Sequence, residues 1–297
     1  MKKNQRKLLA LLLTLILFAL SAAPVFANKD GTVIYQQKEI KDLEKIKERI
    51  KLKITDDSNF KFTKENVNLK KKDKTDKKDE KELKIIEIGS TSQKIKAVKL
   101  KNGKIREDYV GIALVTIGTE DASTTDNASA KSSNSIFKKL FSLFTPISYA
   151  GTVTQQESDS SKGVVYEVKL YYSKIDDLYN ITSGITKIVD HQDTTIKITR
   201  MLNRIGSGMW ARYSDGSLNG YANPVYENEK TSSTSFSTND SVSTSDTNDY
   251  WFDLNVDGEF IGSYGEIELK RGTSSVWTSD MNITLGSMID WYDPSSR

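Results

Sequence analysis

The single histidine is the first residue that could do chemistry. His191 lies between Asp190 and Asp193, and an imidazole beside a carboxylate is the pairing with which many hydrolases activate a serine. The sequence has no Gly-x-Ser-x-Gly pattern to present such a serine. Polar neighbours on both sides of His191 are more typical of a surface turn. We therefore expect a turn here. The alternative is a hydrolase based on His191 or on one of three carboxylate pairs, Asp176-Asp177, Glu266/Glu268 and Asp290/Asp293.

An acidic stretch suggests a metal site. Oxygen donors occupy alternate positions, with glycine at the sixth, as in the opening of a calcium loop: Asp253, Asn255, Asp257 and Glu259. The bidentate glutamate expected at the twelfth position is replaced by Tyr264. An Asp-Gly pair is also a preferred hairpin turn. We expect a hairpin and no cofactor, with calcium as the alternative.

Aromatic residues are concentrated in the C-terminal half. All four tryptophans and ten of the thirteen tyrosines follow residue 150. Such side chains either fill a core or, when exposed, stack on sugar rings or anchor a partner. Core packing is the more common role. The candidates for a binding surface are Trp210, Tyr213, Tyr221 and Trp251.

A short segment near residues 135–145 has the composition of an amphipathic helix. Phe137, Phe141 and Phe144 lie on one helical side, with two lysines beside them. Such a segment can lie in a membrane interface, which would make the protein a membrane-active factor. Docking on a domain surface is favoured, because one or two turns bury little area in lipid.

The composition excludes several classes of site. The chain has no cysteine and one histidine, which excludes disulfide frameworks, thiolate chemistry and multi-histidine metal centres. Nucleic-acid binding is not expected, because the basic part of the chain lacks interleaved aromatic residues. These exclusions favour a non-catalytic protein over an enzyme.

The chain divides by composition into a leader and two differently charged parts. Residues 1–27 have a basic start, an apolar core and a small-residue end, which predicts a secretory signal peptide. Residues 28–118 contain 24 basic and 16 acidic residues, whereas residues 119–297 contain 15 basic and 24 acidic ones. A polar linker is expected over 119–162. Secretion without cysteine is typical of a Gram-positive exporter.

Hydrophobic periodicity predicts an α+β domain followed by an all-β antiparallel sandwich. Apolar residues at three- and four-residue steps predict a helix over residues 36–50. Asn102-Gly103 predicts a hairpin whose second arm is buried on both faces. Residues 163–297 contain alternating segments and Gly-containing turns, such as Asp215-Gly216, that are typical of a sandwich.

The segment from Val165 to Tyr172 resembles the opening strand of a group of uncharacterised secreted Gram-positive proteins with a C-terminal β-rich domain. The strand around Trp251, Gly262 and residues 266–272 are similar as well. The resemblance implies a secreted β domain and identifies no functional residue. We expect a binding or envelope-associated protein that recognises a cell-wall polymer, a glycan or a protein.

Overall fold

A computed structural model of the 297-residue chain describes residues 31–72, 82–119, 163–272 and 275–287. These residues form mostly antiparallel β-structure with one α-helix, α1 (Leu43–Lys51), and one 3₁₀ turn (Lys64–Asn66). The strands are β1 (Thr32–Gln36), β2 (Val67–Lys71), β3 (Leu83–Lys99), β4 (Ile105–Thr119), β5 (Val164–Ile175), β6 (Leu178–His191), β7 (Ile196–Arg212), β8 (Leu218–Ala222), β9 (Val225–Thr231), β10 (Ser241–Ser245), β11 (Phe252–Asp253), β12 (Phe260–Arg271) and β13 (Ser275–Gly286).

The strands form two sheets that pack against each other. The first sheet has the order β1-β3-β4-β5-β6-β10, with β11 also paired to β6. The second has the order β2-β13-β12-β7-β8, with β9 also paired to β7. One large apolar cluster joins them, with Val115 and Tyr166 from the first sheet and Ile205, Ile267 and Ile283 from the second.

The predicted boundary between residues 118 and 163 does not separate the sheets. β4 pairs with β5 from Arg106 opposite Ile175 to Ile117 opposite Val164. β2 pairs with β13 in the other sheet. Strands from both sides of the predicted linker therefore share both sheets and the core between them. The linker's Phe137, Phe141 and Phe144 lie outside the described residues.

The predicted hairpin at Asn102-Gly103 is confirmed. β3 and β4 pair antiparallel up to Lys99 opposite Ile105, and Gly103 has a φ of +85°, which glycine adopts without steric cost. β4 is buried on both faces, as predicted. Val115 faces the core between the sheets, whereas Ile112 packs against the helix on the other face.

The helix is shorter than its periodicity predicts. It begins at Leu43, because Asp42 caps it by accepting a 3.0 Å hydrogen bond from the backbone N–H of Lys45. The preceding residues follow the first sheet instead, where the backbone N–H of Gln37 donates to the carbonyl of Ile95. Among the described residues, no helix is long and apolar enough to cross a bilayer.

Candidate functional site

Within the part of the chain that the structure describes, the most exposed aromatic residues lie on the hairpin of β7 and β8. Trp210 and Tyr221 are 44% and 62% exposed, and they occupy directly opposite positions in the β7–β8 register. Their ring centroids are 5.7 Å apart at 86°, an edge-to-face contact. Tyr213 and Leu218, near the tip, are also more than half exposed. We call these four residues the aromatic hairpin.

A compact turn holds the tip of the aromatic hairpin. The carboxylate of Asp215 accepts hydrogen bonds from the backbone N–H and the hydroxyl of Ser217. Gly216 has a φ of +95°, and its N–H donates to the carbonyl of Tyr213. The sequence Asp-Gly predicted this turn, because both residues favour the backbone conformations that a tight turn requires.

Trp251, the fourth candidate for a binding surface, lies beneath the hairpin, in the core role that is more common for aromatic residues. It is 4% exposed and packs against Ile175 and Leu178. Its backbone forms a two-way bridge with Arg212 at the end of β7, with N···O distances of 2.8 and 3.1 Å. Trp251 therefore anchors the hairpin to the first sheet.

An open groove of about 430 Å³ lies at the same end of the molecule. It lies between the β3–β4 turn and the end of β5. We call it the ionic groove, and its lining residues are Gly103, Lys104, Ile105, Glu107, Lys174 and Asp176. The ammonium of Lys104 lies 3.1 Å from the carboxylate of Asp176. The groove itself was not predicted. Asp176 was considered only in a carboxylate pair with Asp177, and the lining residues become neighbours only when β4 pairs with β5.

The inner end of the groove continues into a cluster of buried tyrosines. The hydroxyl of Tyr109 donates a 2.8 Å hydrogen bond to Glu107. Burial raises the pKa of Glu107, but hydrogen bonds from Lys94 and Tyr109 outweigh burial and hold it below its usual value. The Lys174 ammonium lies 5.2 Å from the ring centroid of Tyr179. The groove therefore presents a carboxylate that stays ionised at neutral pH.

The acidic stretch considered for calcium does not form the predicted hairpin. β11 pairs with β6 in the first sheet, whereas β12 pairs with β7 and β13 in the second. The stretch therefore crosses between the sheets. Asp257 lies within it and is not paired across a hairpin.

Two of the four candidate calcium ligands already have other partners, which are backbone N–H groups of the crossing and an arginine at the end of β7. Glu259 is fully buried; one carboxylate oxygen accepts from the backbone N–H of Asp253, and the other lies 3.7 Å from the Arg212 guanidinium. Asp253 accepts from the backbone N–H of Asn255. Among the described residues, no group of three acidic or histidine side chains could hold a metal ion.

The histidine considered for catalysis is the last residue of β6, where it pairs with Val164, and the turn to β7 follows it. Its Nε2 lies 2.7 Å from the carbonyl oxygen of Ile196, and since a carbonyl only accepts, this nitrogen carries the proton. The flanking carboxylates bond elsewhere: Asp190 accepts from Gln192, and Asp193 accepts from Thr195. The structure therefore shows no hydrogen bond between His191 and either of these carboxylates.

The two glutamates considered as a carboxylate pair are bound to cations on the second sheet. Glu266 pairs with Arg200 and accepts from the hydroxyl of Tyr264. Glu268 pairs with Lys72 at 3.0 Å and accepts from Thr199. No family model, curated protein or solved structure matches the chain.

Proposed function

We propose that the protein is a non-catalytic extracellular binding protein that docks its ligand on the aromatic hairpin. The observation that carries the proposal is the exposed edge-to-face contact of Trp210 and Tyr221. Large aromatic side chains are usually buried, and a group of them on the surface is typical of an interaction site. The two rings together present an apolar surface to solvent before any ligand binds.

Rigidity of the hairpin supports this proposal. The turn at Asp215 closes one end, and the backbone bridge between Arg212 and Trp251 ties the strand to the first sheet. A ligand that binds a pre-ordered surface loses less conformational entropy than one that must order a loop. The aromatic hairpin can therefore bind without rearranging.

The surroundings of the other candidate residues favour binding over catalysis. The protonated nitrogen of His191 is held by a backbone carbonyl in a turn. The glutamates on the second sheet are held by Arg200 and Lys72. The aromatic hairpin is, by contrast, a surface whose side chains are left open to solvent.

We also propose that the protein is exported. This part of the proposal rests on the signal-like residues 1–27, the lack of cysteine and the resemblance to secreted Gram-positive proteins.

Retention of the purified chain on bacterial cell walls, immobilised glycans and surface proteins tests the proposal. We expect Trp210→Ala and Tyr221→Ala each to reduce retention about tenfold, the effect of losing a central aromatic contact. The matched control is Tyr35→Ala, since Tyr35 is an aromatic residue of similar exposure on β1 of the other sheet.

Equal retention of wild type and both hairpin variants on every surface would overturn the proposed docking site. Turnover of a substrate without retention on any surface would overturn the non-catalytic assignment. Circular dichroism of each variant checks that the β-structure persists, so that a loss of retention reports the docking surface.

A further inference from the structure

We infer that the ligand of the aromatic hairpin is an uncharged polysaccharide chain, which stacks on the hairpin and extends into the ionic groove. This inference rests on the proposed function, because it names the ligand class for the same docking surface. It adds a second contact region, the groove, and it excludes polyanions as the preferred ligand.

The tip of the hairpin and the groove are neighbours. A methyl group added to Gly216 would lie 3.8 Å from Leu178, two residues after Asp176 of the groove. The Ser217 hydroxyl lowers the pKa of Asp215, and the Lys104 ammonium lowers it further, which places Asp215 within electrostatic reach of the groove. A polymer that extends past the hairpin tip therefore reaches the groove.

The charges of this end of the molecule are balanced. The groove contains two lysines, Lys104 and Lys174, and two carboxylates, Glu107 and Asp176. Lys104 pairs with Asp176, and Glu107 pairs with Lys94. The Lys174 ammonium lies 3.9 Å from the carboxylate of Asp57, so three cations face three carboxylates here. A polyanion binds where cations outnumber carboxylates, because its affinity comes from the summed field. This surface offers no such excess.

The remaining chemistry suits sugar hydroxyl groups. A hydroxyl both donates and accepts, so it can bond a carboxylate and an ammonium at the same time. The groove presents both, with the ionised Glu107 and the Lys174 ammonium among its lining. The aromatic platform of Trp210 and Tyr221 can stack on the apolar face of a sugar ring.

The size of the surface indicates a polymer. Leu218 lies opposite Arg212 in the register, so it shares a face with Trp210 and is two strand positions away, a separation of about 7 Å. The turn at Asp215 lies beyond Leu218, and the groove lies next to that turn. A single sugar ring could contact one end only, whereas a chain of several rings can contact the hairpin and the groove together.

Binding to paired neutral and anionic polymers tests the inference. Affinity electrophoresis of the purified chain is run in gels that contain hydroxyethyl cellulose, soluble starch, yeast mannan or chitin oligosaccharide. Matched gels contain carboxymethyl cellulose or polygalacturonate. We expect retardation by at least one uncharged polymer that is unchanged at high salt, and a roughly tenfold weaker affinity for Trp210→Ala.

The groove is tested with Asp176→Asn, which keeps a residue that tolerates the positive φ of +56° at this position. This variant removes one negative charge beside Lys104, so we expect weaker retardation by the neutral polymer and a gain of retardation by the anionic one. Asp177→Asn, at the next and exposed position outside the groove lining, is the matched control and should behave like wild type.

Three outcomes separate the inference from the proposed function. Salt-sensitive binding that is stronger to the anionic polymers overturns the inference. Absence of binding to every uncharged polymer, while Trp210→Ala still reduces retention on cell walls or surface proteins, also overturns it but leaves the docking surface in place. Loss of both Trp210-dependent effects overturns the proposed function as well.

Discussion

The hydroxyl of Tyr172 on β5 donates a 2.7 Å hydrogen bond to the carboxylate of Asp57, in the loop that follows the helix. Both residues are almost fully buried. Burial and the charge of Asp57 raise the pKa of Tyr172 well above its usual value, so the phenol remains protonated and donating. The bond therefore fixes the loop to the first sheet inside the protein.

Removal of this hydroxyl should destabilise the fold. Tyr172→Phe leaves a buried carboxylate oxygen without its donor, and such a loss typically costs about 1–3 kcal/mol. We expect the free energy of unfolding, measured by urea denaturation, to fall within that range. The ring stacking of Tyr172 on Tyr109, at 5.4 Å between centroids, is kept in this variant.

The control for this substitution is Tyr213→Phe, which removes a hydroxyl from a half-exposed ring. Its effect should be no more than about 0.5 kcal/mol, as is usual for surface changes. Equal stability of Tyr172→Phe and wild type would show that the bond to Asp57 contributes nothing.

The same loop requires a glycine on β4. A Cβ at Gly111 would clash with the ring of Phe60, so Gly111→Ala must displace this ring from the core. We expect a loss of about 1–3 kcal/mol in the free energy of unfolding, as for other overpacked cores.

A double mutant checks the cause of that loss. Phe60→Leu shortens the side chain that Gly111→Ala would hit, so the double mutant should be more stable than the sum of the two single effects predicts. Strictly additive effects would show that the two sites do not interact and that another contact limits Gly111.

The local elements of this fold follow from local patterns. Asn102-Gly103 and Asp215-Gly216 predict tight turns, and both form, because the backbone conformation of a turn is decided by the residues within it. The two-sided burial of β4 also follows from its nearly continuous apolar run.

Strand partners do not follow from such patterns. Alternation shows which residues share a face, but any apolar strand can pair with any other. The pairing of Arg106 with Ile175, which brings Lys104 and Asp176 together, joins residues on either side of the predicted linker. The same limit applies to Trp210 and Trp251. The sequence makes both of them candidates for either the core or a binding surface, and only the tertiary packing over each shows which one is exposed.

The stability of the protein should depend on pH through Glu167. This residue lies on the outer face of β5, where its carboxylate is 3.2 Å from Lys169. Burial raises the pKa of Glu167. The positive charges of Lys169 and Lys187 reduce this rise in part, and the negative charge of Glu39 increases it. The folded state therefore holds this proton more tightly than the unfolded chain.

The sign of the effect follows from this difference in proton binding. The contribution of Glu167 to stability should fall as pH rises from the usual glutamate pKa of about 4.3 through the raised folded pKa, and then level off. Glu167→Gln should flatten this slope in urea denaturation series. Glu229→Gln is a control of opposite sign. A hydrogen bond from Arg200 lowers the pKa of Glu229, so the contribution of Glu229 to stability rises with pH. A slope unchanged in Glu167→Gln would contradict the assignment.

The order of the aromatic hairpin should depend on its turn. Asp215→Ala removes the acceptor of two hydrogen bonds from Ser217. Because the position is exposed, we expect little change in the midpoint of urea denaturation. We expect a larger relative effect on ligand affinity, because Trp210 and Tyr221 would have to be ordered on binding.

Limited proteolysis of residues 213–217 reports the order of the turn, and affinity electrophoresis reports binding. Asp177→Ala, a carboxylate removed from a different exposed turn, is the control for charge. If Asp215→Ala binds and resists proteolysis as wild type does, the two strands alone order the aromatic pair, and the turn has no role in the docking surface.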